Sequence, residues 1–240
     1  MTDRPLVAVA HGSRDAAAAA AAEDLVDRVR RLRAGLDVSL AFLDHGGPDL
    51  PAALTAAGPG AVVVPLLLTP GFHSRVDIPE QIARSGAAGA AQAAVLGPHP
   101  RLITALERRL TGAGVTPGDP GTAVVLAAAG SADPSAVESV HALAAQWAVR
   151  RPWLTVETAF ASAAAPTVDR AVARLRERGV PRVAVAAYLL FPGLFADRLA
   201  RSGADVVAGP LGDTPEAAEI VLQRYDDVLA ALPILESARR

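Results

Sequence analysis

Three side chains in the first third of the chain, His11, Asp44 and His73, are of the types that bind first-row metals and move protons. A neutral imidazole can ligate a divalent ion or accept a proton at physiological pH. Two imidazoles and one carboxylate, with coordination positions left over, suit an ion such as Fe(II), Co(II) or Ni(II) that must be handed on. A structural site would instead close its coordination sphere. His45 is a rival ligand beside Asp44, and Glu80 is a further carboxylate that could assist protons or metal. Arg14 and Arg75 flank the two histidines and are suited to an anionic ligand.

Each residue also has a plainer reading. A histidine after a strand is commonly a hydrogen-bonded turn residue, and Asp44 could simply cap or turn the chain. Asp77-Ile78-Pro79-Glu80 fits a capping box, with Asp77 as N-cap and Glu80 at the third helical position. His99 follows Gly-Pro in a connection, and His141 reads as a surface or packing residue of a helix.

Repetition favours the metal-site reading. Val7-Ala8-Val9-Ala10-His11-Gly12-Ser13-Arg14-Asp15 returns as Val125-Leu126-Ala127-Ala128-Ala129-Gly130-Ser131-Ala132-Asp133. Pro70-Gly71-Phe72-His73 returns as Pro192-Gly193-Leu194-Phe195, and Gly97-Pro98-His99 as Gly209-Pro210-Leu211. The histidines of these segments are lost in the second copy, so the chemistry is expected in the first of two similar lobes. Ala129, Ser162 and Phe195 stand for the three ligands there, and none binds a divalent ion well. The stretch 193–200 is also five residues shorter than its match, 71–83.

The elements that must carry these residues alternate. Apolar runs at 6–10, 38–43, 61–68 and 93–96 read as strands, with helices at about 16–34, 48–57, 77–84 and 102–110. After a Gly/Pro-rich linker at 112–121 the pattern restarts, with strands at 122–128, 154–160, 182–190 and 205–208 separated by helices. Such alternation predicts an α/β fold of two flavodoxin-like, doubly wound parallel-sheet lobes, residues 1–114 and 119–240. His11, Asp44-His45 and His73 would then follow three neighbouring strands, at the carboxyl edge where open parallel sheets bind ligands.

Composition narrows the alternatives. A chain of 240 residues with 51% hydrophobic content can bury a substantial core. Zero cysteines exclude disulfides, thiolate zinc sites, cysteine nucleophiles and cysteine-held iron–sulfur clusters, so any metal uses nitrogen and oxygen donors. A net charge of −2 with only 4% aromatic residues argues against a nucleic-acid surface. No apolar run reaches membrane-span length and the start leads directly into a strand, so a cytoplasmic location without a membrane partner is expected.

The strings Ala10-His11-Gly12-Ser13-Arg14-Asp15, Phe42-Leu43-Asp44, and Pro65-Leu66-Leu67-Leu68-Thr69-Pro70-Gly71-Phe72-His73 running to Asp77-Ile78-Pro79 closely resemble the sirohydrochlorin chelatases. The resemblance covers most of the chain and implies two chelatase-like lobes, the second forming the other wall of a tetrapyrrole cleft. It further implies insertion of Fe(II), or alternatively Co(II) or Ni(II), into sirohydrochlorin with no organic cofactor. His11 and His73 would hold the ion and take protons, and Asp44 would complete the site where the family usually has Glu. Ser13, Arg14 and Arg75 would meet the substrate's carboxylates and Phe72 its apolar ring. Because both lobes lie in one chain, a monomer is feasible, and a homodimer is compatible. Two other classes remain. Histidine phosphatases place Arg before a similar His-Gly, where this chain has Ala10, and a metal-delivery protein would use the same ligands without a tetrapyrrole.

Overall fold

The computed structural model describes residues 4–237. In chain order the elements are β1 (Leu6–Ala10), α1 (Ala16–Leu32), β2 (Val38–Phe42), α2 (Leu50–Ala57), β3 (Val62–Pro65), a π-helical turn (His73–Asp77), α3 (Ile78–Ser85), β4 (Ala91–Gln92) and α4 (Pro100–Gly112). The pattern then repeats as β5 (Thr122–Ala128), α5 (Pro134–Arg150), β6 (Thr155–Phe160), α6 (Val168–Glu177), β7 (Arg182–Tyr188), α7 (Leu194–Ala200), β8 (Val206–Val207) and α8 (Pro215–Ser237). Two parallel four-stranded sheets result, ordered β2-β1-β3-β4 and β6-β5-β7-β8, the flavodoxin-like order usual for a lobe of this size.

Central strands of such sheets are covered on both faces, so they read as unbroken apolar runs. Every residue of β1 and of β5 is buried accordingly. Around β1, helix α1 starts at Asp15, whose carboxylate accepts from the Ala17 N–H at 2.9 Å, and it buries Ala18, Ala22, Leu25, Val26 and Val29 along one stripe. In the second sheet Asp133 caps α5 in the same way, accepting from Ser135 N–H at 2.9 Å.

The compact units do not follow the repeat boundary. One contains the residues up to Gly97 together with those from Asp213 onward, and the other spans Pro98–Gly212. The division expected from the repeat, 1–114 and 119–240, therefore assigns two helices differently: α4 belongs with the second sheet and α8 with the first. Packing explains both placements. Glu107 of α4, largely buried, accepts from Trp147 Nε1 at 3.0 Å and from Arg151 Nε and a terminal guanidinium nitrogen at 2.9 and 3.0 Å. Helix α8 buries Ile220, Val221 and Tyr225 completely, and the Tyr225 hydroxyl donates to the Arg4 carbonyl at 2.6 Å. Ile220 and Val221 each contribute about 1.5–3 kcal/mol. That outweighs the half-exposed Arg33–Asp226 pair, since exposed pairs contribute about 0–1 kcal/mol. The stretch 112–121 accordingly lies within the second unit and does not link the two.

The fourth strand of the first sheet also differs from expectation. It is Ala91–Gln92, paired with Val62 and Val63, whereas 93–96 continues as a connection that buries Ala93, Val95 and Leu96 and exposes Ala94. Ala93 and Leu96 donate to the carbonyls of Val63 and Leu67, at 2.8 Å each, and Leu96 is fully buried. Burial of a loop imitated the apolar run of a strand. Among the described residues, no helix is long and apolar enough to cross a membrane.

Candidate functional site

Residues that follow β1, β2 and β3 meet at the carboxyl edge of the first sheet. Parallel pairing of β1 with β2 continues beyond the strand ends: Leu43 N–H donates to Ala10 O and Asp44 N–H to His11 O, both at 3.0 Å. His11 and Asp44 are thereby fixed side by side, with His11 Nε2 at 3.8 Å from Asp44 Oδ2. The next residue, Gly12, has φ +96°, and a Cβ there would lie 2.3 Å from the His45 carbonyl oxygen. Only glycine permits this crossing. His45 thus contributes its backbone to the arrangement, and its side chain is exposed.

His73 arrives from the loop after β3. Its ring centroid lies 4.4 Å from that of His11, with the rings perpendicular. A π-helical turn holds it, closed by the Ile78 N–H donating to the His73 carbonyl. The turn is anchored near its start, at Ser74: Gly71 N–H donates to Ser74 Oγ at 3.0 Å, and Gln92 Nε2 donates to Ser74 O at 2.7 Å. Phe72, 67% exposed, has its ring centroid 5.8 Å from that of His73, with the two rings nearly perpendicular.

Hydrogen bonding selects one tautomer at each imidazole. His11 Nδ1 lies 3.2 Å from the Gly12 carbonyl and His73 Nδ1 lies 3.0 Å from Asp77 Oδ2. Both oxygens are acceptors, so each Nδ1 carries the proton and each Nε2 keeps its lone pair for a metal. Among the described residues, no three His, Asp or Glu side chains already form a closed metal cluster. His11 is the shared neighbour of Asp44 on one side and His73 on the other.

The remaining candidates take varied positions. Ser13 Oγ accepts from Asp15 N–H at 3.1 Å and so braces the start of α1. Arg14 is exposed just before that helix, and Arg75 and Glu80 are exposed beside the π-helical turn. His99 Nδ1 accepts from Arg101 N–H at 3.1 Å, capping α4 in the other unit. His141 bonds Thr158 Oγ1 at 2.7 Å and packs near Phe160, a structural role.

Asp77 departs from its expected role. It has helical φ/ψ (−63°, −51°) and caps nothing. Oδ2 accepts from His73 and Oδ1 from Gln81 Nε2 at 2.9 Å. Burial would raise the pKa of this carboxyl, yet the hydrogen bonds from Gln81 and His73 hold it below its ordinary value. The contacts of Asp77 and Gln81 with His73 were missed at the level of sequence, although the signal existed: positions 73, 77 and 81 recur every four residues along one helical face.

The second unit repeats the scaffold without the donors. Ser162 N–H donates to Ala129 O at 2.9 Å, as Asp44 does to His11, and Gly130 again has positive φ against the Ser162 carbonyl. Asp197 N–H donates to Gly193 O at 3.0 Å, as Arg75 does to Gly71. Phe195 therefore occupies the place of His73, and no π-helical turn follows it.

Similar proteins add to this geometry. Over 177 residues, 69% of this chain, the protein is 28% identical to a sirohydrochlorin cobaltochelatase of Priestia megaterium, of whose length 58% is covered, less than two thirds. It is 25% identical over 202 residues to a sirohydrochlorin ferrochelatase of the same organism, covering 80% of this chain and 74% of that one. The solved structure of SirB from Bacillus subtilis with Fe3+ superposes with a TM-score of 0.83 at 23% identity, covering 96% of this chain and 97% of that one, a likeness of fold. The CbiX family model matches twice, at residues 5–113 and 123–228, and the chain belongs to that family.

Proposed function

We propose that the protein is a tetrapyrrole metal chelatase that inserts a divalent metal, Fe(II) foremost, into sirohydrochlorin. The observation that carries this is the pair of imidazoles 4.4 Å apart at one sheet edge, each with Nδ1 bonded to an acceptor. The two Priestia megaterium relatives, one named for cobalt and one for iron, support the reaction class and leave Co(II) as the alternative metal, with Ni(II) third.

The reaction is M2+ plus free-base sirohydrochlorin giving the metallated ring and two protons. The metal is a substrate. His11 and His73 bind the incoming ion through Nε2 and replace part of its hydration shell, with Asp44 supplying an oxygen donor after a change of rotamer. An imidazole freed when the ion passes to the ring accepts a pyrrole proton. The exposed Arg14 and Arg75 meet the carboxylates of the substrate, Ser13 holds the first loop in place, and the exposed Phe72 contacts the apolar ring. Glu80, on the same helix as Gln81, passes protons toward solvent.

Anaerobic incubation with sirohydrochlorin and Fe(II), Co(II) or Ni(II) in turn, against the uncatalysed background, tests the proposal. Accelerated change of the pigment spectrum is expected. Metal binding without any spectral response to sirohydrochlorin would instead identify a metal-delivery protein.

A further inference from the structure

We propose that Asp77 and Gln81 are positioning residues that hold His73 in the Nδ1–H tautomer and aim its Nε2 at the metal, an inference that rests on the metal-site reading above. A neutral imidazole has one proton and two places to put it. An ionised carboxylate at 3.0 Å from Nδ1 accepts but cannot donate, so it selects the form whose lone pair is on Nε2. The carboxylate is itself restrained, because its other oxygen accepts from the amide of Gln81, a side chain only 8% exposed. Packing thus fixes the amide, the amide fixes the carboxylate, and the carboxylate fixes the ring.

A purely structural Asp77 would look different. As an N-cap it would take an extended backbone and accept from backbone N–H groups of the first turn of α3. Instead its backbone is helical and its side-chain bonds go to His73 and Gln81. The π-helical turn that places residues 73 and 77 together lies in the longer stretch that distinguishes this unit from the other, where Phe195 replaces His73. His11 is held differently, by a longer bond to the carbonyl of its own neighbour, Gly12. His73 is therefore the more firmly oriented ligand of the pair, and a carboxylate behind a ligating imidazole also raises its basicity toward the metal.

Two measurements on the full chain test the tether. In the metal-free protein at about pH 8, where an ordinary imidazole is neutral, long-range 1H–15N correlation spectra of His73 should show the Nδ1–H tautomer. Asp77→Ala should move the population toward Nε2–H. Titration with Co(II) alone, followed by its visible absorption, should show affinity weakened by ~10–100-fold in Asp77→Ala, the scale of lost outer carboxylates. Asp77→Asn should show a smaller loss, as should Gln81→Leu, which keeps the volume and carries the test if Asp77→Ala melts early. An Nε2–H tautomer in the unmodified protein would overturn the proposal. So would unchanged Co(II) affinity in Asp77→Ala and Gln81→Leu while His73→Ala loses it. Unchanged affinity in His73→Ala would instead overturn the metal-site reading itself.

Discussion

His11 and Asp44 owe their proximity to backbone, since the hydrogen bond between their main chains at 3.0 Å exists whatever the side chains are. Removing a side chain here should therefore cost function and spare the fold. His11→Ala and His73→Ala are expected to melt within a few degrees of the parent protein while lowering metal insertion by at least ~100-fold, the scale of lost general-base help. Initial rates and thermal melts measure both. Asp44→Glu should be tolerated, because the carboxylate stands 60% exposed with room to extend, whereas Asp44→Ala should weaken metal binding. His45→Ala should do little, its contribution being a carbonyl under Gly12. Normal metal binding by Asp44→Ala with loss in His45→Ala would reverse the assignment. At this scale the sequence pointed to one place for His11, Asp44 and His73, the ends of three neighbouring strands, and the structure brings them to one sheet edge. The sequence pointed to the wrong role for Asp77, because a capping pattern and an i,i+4 contact with His73 share the same letters.

Strand ends and the loops after them convert the sheet into a site, and Gly12 shows how narrow the tolerance is. Its φ of +96° and the 2.3 Å approach that a Cβ would make to the His45 carbonyl leave no room for a side chain. Gly12→Ala must push the β2 loop away, and with it Asp44. A loss of stability of about 1–3 kcal/mol, the range for backbone strain, should accompany loss of Co(II) affinity. A Gly12→Ala protein that binds Co(II) normally would show that the loop crossing does not set the site. The corresponding Gly130→Ala should destabilise similarly and leave metal affinity unchanged, since the unit that contains it carries Ala129 and Ser162 in place of the ligands. The unbroken apolar runs of β1 and β5 and the periodic stripe of α1 were legible as sequence. The fourth strand was not, because Ala93, Val95 and Leu96 are buried and the segment bonds back to Val63 and Leu67 outside the paired strand Ala91–Gln92.

For the whole molecule, the duplicated sequence predicts the number of lobes correctly but cannot tell which lobe receives each closing helix. Helices α4 and α8 occupy equivalent places in the repeat, so their sequences alone fit either unit. The deciding contacts are distant in sequence: Glu107 with Trp147 and Arg151, and Tyr225 with Arg4. Asymmetry of the donors gives one expectation, a single Co(II) per chain, measurable by titration or by anomalous scattering from soaked crystals. A second, fully occupied site near Ala129 and Phe195 would contradict it.

Exchange of the helices gives another expectation. A fragment cut at the repeat boundary, residues 1–114, lacks Ile220, Val221 and Tyr225, which are fully buried in its unit, and it keeps α4 without the tryptophan and arginine that satisfy Glu107. Ile220 and Val221 alone account for about 3–6 kcal/mol at 1.5–3 kcal/mol each, a large share of the whole stability of a domain. The fragment should be unfolded or loosely packed, with poorly dispersed amide resonances and no Co(II) affinity, even though it contains every candidate ligand. A well-dispersed spectrum from 1–114 would show that α8 is dispensable to the first sheet. Fusing 213–240 to residues 1–97 restores the missing helix and should restore dispersion, whereas adding 98–118 should not.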